Sequence, residues 1–236
     1  MNSLIKKLGL AALLAAVIFS MACQKQTTKE EWQDLFDGKT LNGWKVLGGQ
    51  ADFYVEDGMI VCNTKKDIDG GYLVTENTFG DFLLELDVKI DTTLNSGVQI
   101  RGRVWDKDTT TMYLSGKGDL VERTWPVGYV WGYQIEVDPS SRAWSGGLYE
   151  PGNRGWLVTL AGKEEARQAF KPLDWNHFKI EAKGDTIRTW VNGVACVDTT
   201  DSVSQSGFIG LQFHKAYRED QVDKKSLWKN IRIKEL

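Results

Sequence analysis

The chain has 236 residues, with 29 Lys and Arg against 32 Asp and Glu and a net charge of −3 that is spread without a basic block. That balance excludes nucleic acid as a natural partner, because phosphate binding needs clustered Lys and Arg. The chain has 24 Gly and only 4 Pro, and turn residues separate its short alternating apolar runs. This speaks against a helical bundle and for a single β-sandwich or barrel.

In chain order, Lys6 and Lys7 precede an apolar run from Leu8 to Phe19 that is too short to span a bilayer comfortably. Ser20-Met21-Ala22-Cys23 follows and reads as a lipoprotein cleavage site. Residues 1–22 are therefore expected to be a signal peptide, Cys23 the lipidated residue and 23–30 a polar tether. Loss of Lys6 and Lys7 leaves 27 basic groups against 32 acidic ones, a net charge of −5. The expected location is the cell envelope, with membrane contact through the N-terminal lipid only.

Residues 31–236 read as one domain. Predicted strands are Phe53–Val55, Met59–Asn63, Tyr72–Thr75, Phe82–Ile90, Ser96–Arg103, Gly132–Asp138, Gly146–Tyr149, Asn176–Ala182, Thr186–Val191, Val194–Asp198, Gly207–His214 and Leu227–Glu235. Glu56-Asp57-Gly58 and Asn192-Gly193 mark hairpin turns. Lys163–Ala169 is the one predicted helix, and 104–130 is expected to be a long irregular, functional loop. Cys62 and Cys196 lie in strand-like runs and are expected to be two unpaired buried thiols.

Three predicted strands alternate alike. Val98 and Ile100 point one way, Gln99 and Arg101 the other. Tyr133, Ile135 and Val137 oppose Gln134, Glu136 and Asp138. Leu211 and Phe213 oppose Gln212 and His214. Half-exposed strands alternate without any function. Here, however, the outward set is amide, acid, guanidinium and imidazole, which are directional partners for hydroxyl groups. If these strands are neighbours, the polar sets merge into one patch. An imidazole ordinarily titrates near neutrality, so His214 is a candidate acid or base, and Glu136 with Asp138 forms a carboxylate pair able to serve glycoside hydrolysis or to bind a divalent cation. Trp144 and Tyr149 are the expected stacking rings, and Arg142 a further hydroxyl or carboxylate binder. No zinc spacing, phosphate loop or nucleophile elbow occurs.

Several stretches carry a family likeness: Leu35-Phe36-Asp37-Gly38-Lys39-Thr40-Leu41-Asn42-Gly43-Trp44, Asn95-Ser96-Gly97-Val98-Gln99-Ile100-Arg101, Gly132 to Asp138, Gly207 to His214 and the closing Lys229-Asn230-Ile231-Arg232. Together they resemble the 3-keto-disaccharide hydrolase domain family. The resemblance implies a concanavalin-like jelly-roll β-sandwich acting on glycosides oxidised to a ketone at C3, with the site on its concave face. It places Arg101, Glu136 and His214 on polar motif positions. The order Gln134 then Glu136 departs from the acid-then-amide order common in the family.

The expected reaction is removal of the C2 proton, β-elimination of the aglycone and hydration. The base would be Glu136 or His214, and the group at the enolate oxygen Arg101 or a divalent cation. Gln99, Gln134, Gln212 and Asp138 would bind the glycoside or oligosaccharide. The alternative is a non-catalytic carbohydrate-binding module of the same fold. A laminarinase-type glycosidase is disfavoured, because Glu136-Val137-Asp138-Pro139-Ser140-Ser141 lacks a second Glu.

Overall fold

The computed structural model describes residues 31–236; the expected signal peptide, lipidated Cys23 and tether lie outside the described residues. The folded part is a sandwich of two antiparallel-rich sheets. The strands are β1 (Gln33–Asp34), β2 (Trp44–Leu47), β3 (Phe53–Glu56), β4 (Met59–Asn63), β5 (Gly71–Thr75), β6 (Phe82–Ile90), β7 (Ser96–Val104), β8 (Thr109–Leu114) and β9 (Leu120–Trp125). They continue with β10 (Val130–Val137), β11 (Leu148–Glu150), β12 (Gly155–Val158), β13 (Asn176–Lys183), β14 (Thr186–Val191), β15 (Val194–Thr200), β16 (Phe208–Phe213) and β17 (Lys225–Glu235). A short helix, α1 (Glu164–Gln168), packs near β15.

The first sheet runs β15-β14-β13-β6-β17-β4-β3, with β1 added along β17. Its central strand β6 alternates strictly. Phe82, Leu84, Leu86, Val88 and Ile90 are buried, while Leu83, Glu85, Asp87 and Lys89 lie on the outer face. The second sheet runs β2-β5-β16-β7-β10-β11-β12-β8-β9. Its inward residues Leu73, Val98, Ile100, Tyr133, Ile135, Val137, Leu148, Leu211 and Phe213 join those of β6 in one apolar core. Burying such side chains contributes about 1.5–3 kcal/mol each.

The second sheet departs from simple amphipathic alternation. Every residue of β10 and of β16 is buried, including those on the outer face. The sheet extends past β12 into a hairpin that the sequence does not announce. The segment 104–130, expected to be irregular, is mostly the β8/β9 hairpin, whose strands pair from Thr109 with Trp125 to Leu114 with Leu120. Cys62 and Cys196 are buried free thiols, pushed up to about 12 and about 11 by burial.

A bulge where β7 faces β10 and β16 sets which side chains reach the outer face. Registers shift between Trp131 and Tyr133 and between Phe208 and Gly210. Arg101 has φ +47° and Gly132 φ +119°; a Cβ on Gly132 would lie 2.8 Å from the Arg101 carbonyl oxygen. The bulge breaks the period-2 rule at Arg101.

Candidate functional site

The outer face of the second sheet holds a cavity of about 320 Å³ lined by residues from β5, β8, β10, β11, β12 and β16 and their loops. Its polar floor consists of Asn95, Gln134, Glu136, Arg142, Gln212 and His214. Its walls are rings: Tyr72, Tyr113, Tyr129, Tyr149 and Trp156, with Pro151. Flat apolar walls with a few convergent polar groups suit a sugar ring.

One hydrogen-bonded chain crosses the floor. Gln212 Nε2 donates to the Tyr72 hydroxyl at 3.0 Å, and Tyr72 donates to Gln134 Oε1 at 3.2 Å. Gln134 Nε2 donates to Glu136 Oε2 at 3.1 Å. Glu136 Oε1 accepts from Asn95 Nδ2 at 2.8 Å and from Arg142 Nη2 at 2.9 Å. Burial pushes the Glu136 carboxyl above its ordinary value, against the Asn95 bond and the Arg142 charge. Arg142 also donates from Nε to Asp138 Oδ2 at 2.7 Å and lies over Trp144 and Trp156, 4.8 and 5.1 Å from their ring centres. Its Nη1 carries no protein hydrogen bond. Asp138 opens the turn as well, accepting from the Ser140 N–H at 3.1 Å.

His214 lies just beyond β16, half-buried, with no hydrogen bond to either ring nitrogen among the described residues. The Tyr217 ring is 6.2 Å away. Burial pushes its imidazole from 6.5 down to about 4, so it is neutral at neutral pH.

Of the residues singled out from sequence, Glu136, His214, Gln134, Gln212, Tyr149 and Arg142 line this one cavity. Arg101 does not, and here the expectation is corrected. The bulge sends its guanidinium, wholly buried, toward loops away from the cavity. There Nε donates to the Gly80 carbonyl at 2.9 Å, Nη1 to those of Gly184 at 2.8 Å and Ser204 at 3.4 Å, and Nη2 to Asp81 at 3.0 Å. Trp144 also stays off the lining. It packs edge-on against Trp156, with centroids 4.7 Å apart, and Trp156 is the ring that faces the cavity. Asp138 acts behind the lining, on Arg142. Gln99 is fully buried beside the floor, Cα-paired with Gln134, and neither of its amide atoms has a hydrogen-bond partner.

Tyr72, Asn95, Tyr113 and Tyr129 are among the lining residues that sequence reading missed. Tyr72 had a usable signal: it shares a strand face with Val74 and opposes core Leu73. Tyr113 and Tyr129 had none, since they sit on and beside the unannounced hairpin.

The donor set does not fit a divalent cation. Glu136 is bound by Asn95, Gln134 and Arg142, and Asp138 by Arg142 and the Ser140 N–H. Among the described residues no group of three or more His, Cys, Asp or Glu side chains gathers.

Space on the floor is set by Gly97, opposite Glu136 in the pairing of β7 with β10. A Cβ there would lie 2.5 Å from Gln134 Cγ and Cδ. Gly97→Ala is therefore expected to displace Gln134 and break its bonds to Tyr72 and Glu136, at an overpacking cost of about 1–3 kcal/mol. Thermal unfolding would read the stability loss, and calorimetry with a glycoside ligand would read weakened binding. Unchanged values in both would show that Gln134 gives way freely.

A two-sheet sandwich with a polar, ring-walled cavity on one sheet suits a carbohydrate-related, hydrolase-like jelly-roll domain. The chain belongs to the 3-keto-alpha-glucoside-1,2-lyase-like domain family, whose sequence model matches residues 31–234. A 3-keto-disaccharide hydrolase of Bacteroides thetaiotaomicron is 38% identical over a 72-residue alignment that covers 27% of this chain and only 25% of that protein's length. Among solved structures, a candidate glycosyl hydrolase of Parabacteroides distasonis matches with a TM-score of 0.56 at 18% identity, over 90% of this chain and 97% of that one. The carbohydrate-binding module CBM66 of Bacillus subtilis matches with a TM-score of 0.50 at 16% identity, over 81% and 95%. At these identities the two structures show the shared fold alone.

Proposed function

We propose that this domain cleaves 3-keto-glycosides by removing the C2 proton. The observation that carries the reading is a neutral imidazole, without a hydrogen-bond partner among the described residues, sharing one ring-walled cavity with a buried carboxylate paired to a partly exposed guanidinium. A ketone at C3 acidifies the neighbouring C2–H, an activation that an unoxidised glycoside does not have.

His214 is the base. Glu136, the other carboxylate or imidazole on the floor, is already bound by three donors, whereas both nitrogens of His214 are free of protein partners. As the C2–H bond breaks, its electrons form the C2–C3 double bond and charge moves to the C3 oxygen. Arg142 Nη1 meets that charge, and Glu136 and Asp138 hold the guanidinium in place. The enolate re-forms the carbonyl and expels the C1 aglycone oxygen, which takes the proton from the imidazolium. Water then adds across C1–C2, hydroxide to C1 and proton to C2, completing net hydrolysis. Gln134, Gln212 and Asn95 hold hydroxyls, and Tyr149 and Trp156 stack on the ring.

A second reading is a sugar-binding module. It draws on the network that links Gln212, Tyr72, Gln134, Glu136, Asn95 and Arg142, which suits recognition without turnover. The test is a panel of 3-keto-glycosides and their unoxidised parents. Turnover of the ketones alone supports cleavage; binding of either set without turnover supports the module.

The pH profile gives a further check. The base must be unprotonated, and burial holds His214 near 4. Log kcat/KM on a 3-keto-glycoside is expected to stay level from neutrality to about pH 5 and to drop toward pH 4. An acid limb centred at the ordinary imidazole value would contradict the assignment.

A further inference from the structure

Only three aromatic rings among the described residues are exposed: Trp32 at 38%, Tyr129 at 41% and Tyr217 at 68%. Two of these three stand at the same cavity. Tyr129 lines it, and Tyr217 sits beside the lining residue His214. The two tyrosines are also near each other. After burial and the opposing charge of Arg123, the Tyr217 hydroxyl is the next group that moves Tyr129, raising its pKa.

Neither ring is a loose loop decoration. Tyr129 ends a turn in which its N–H donates to the Pro126 carbonyl at 3.1 Å and the Gly128 N–H donates to that of Trp105 at 2.7 Å. Its ring leans on Trp125, with centroids 4.9 Å apart. Tyr217 is presented by a stapled loop. The buried Gln221 side chain accepts from the N–H groups of Tyr217 and Arg218 at 2.9 and 3.0 Å, and donates to the Thr93 carbonyl at 2.7 Å. Leaving large rings in water on well-anchored backbone forgoes burial that the fold could use, and such surfaces mark interaction sites.

In this cavity Gln134, Glu136 and Gln212 are buried and Asn95, Arg142 and His214 partly exposed, and a sugar's hydroxyls and its C2–C3 edge belong on these polar groups. Tyr129 and Tyr217 are the most exposed rings beside them.

We propose that Tyr129 and Tyr217 form a leaving-group subsite that selects glycosides with a flat, largely apolar aglycone such as a phenol. The inference rests on the cleavage reading above and adds the aglycone class. Aromatic pairs contribute roughly 0.5–1.5 kcal/mol beyond burial, which converts to about a 2- to 12-fold preference.

The experiment compares the 3-keto-glucosides of phenol and of methanol in wild type, Tyr217→Ala and Tyr217→Phe. Intrinsic leaving-group reactivity cancels when the phenyl-to-methyl ratio of kcat/KM is compared between proteins. The ratio is expected to fall about 2- to 12-fold in Tyr217→Ala and to return in Tyr217→Phe, which keeps the ring. A ratio unchanged in Tyr217→Ala overturns the subsite. If wild type turns over neither ketone, the cleavage reading fails separately. The subsite is then read by calorimetry with phenyl and methyl β-glucoside: a phenyl preference lost in Tyr217→Ala supports it, and no preference in wild type overturns it.

Discussion

His214→Gln is expected to lower kcat on 3-keto-glycosides by about two to four orders of magnitude, the usual contribution of a positioned acid–base group. Gln keeps a similar size and a hydrogen-bonding end but accepts no proton in this range, so substrate affinity should change far less than turnover. The same variant has a stability signature. The folded imidazole titrates near 4 and the unfolded one near 6.5. Between those values the unfolded chain binds a proton that the folded chain does not. The folded state is therefore penalised progressively as pH falls from 6.5, with the full penalty reached near 4. His214→Gln removes this slope, so its denaturant midpoint should fall less than that of wild type on acidification. A variant with wild-type turnover would move the base elsewhere, with Glu136 the remaining group on the floor. A variant with unchanged acid sensitivity would mean that the imidazole is not desolvated.

Arg101→Met is expected to have the largest stability effect and to act on folding rather than chemistry. The guanidinium is fully buried and donates to three carbonyls and to Asp81. Met keeps much of the stem's apolar volume but leaves the Gly80, Gly184 and Ser204 oxygens without this donor. Asp81 is half-exposed and can rehydrate, so the loss comes mainly from the orphaned carbonyls, at about 1–3 kcal/mol each where burial persists. A total near 3–5 kcal/mol is expected, which for a domain of this size lowers the melting temperature by roughly 10 °C. The folded fraction should retain kcat within a few fold. A thermally normal Arg101→Met protein with abolished turnover would return Arg101 to the chemistry.

The contrast between His214 and Arg101 shows what the sequence could and could not say. Phe82–Ile90 and Thr186–Val191 were legible to the residue because they alternate strictly, and Met59–Asn63 because a short apolar run follows the Asp57-Gly58 turn. The polar set on β10 and β16 was legible for the same reason: Gln134, Glu136, Gln212 and His214 share one parity and meet in one cavity. Arg101 has the right parity too, but it sits at a bulge with positive φ, and a counting rule has no way to register one extra residue. The β8/β9 hairpin lacks a core-facing apolar row, since Thr109, Thr110, Thr111 and Glu122 to Thr124 are polar, so its periodicity was faint. Its loss hid Tyr113 and with it part of the ring wall. The exchange of Trp144 for Trp156 is a matter of packing: two rings meet edge-on under Arg142, and only the tertiary structure decides which one faces the cavity.

The account turns on the C2 proton of an oxidised sugar. The direct measurement is to supply a 3-keto-glucoside deuterated at C2 and follow both aglycone release and the label by NMR and mass spectrometry. Release slowed by a primary isotope effect, with deuterium lost to solvent, is the predicted result, alongside no release from the unoxidised glycoside. Release with deuterium retained at C2, or cleavage of the unoxidised parent at a comparable rate, would contradict it.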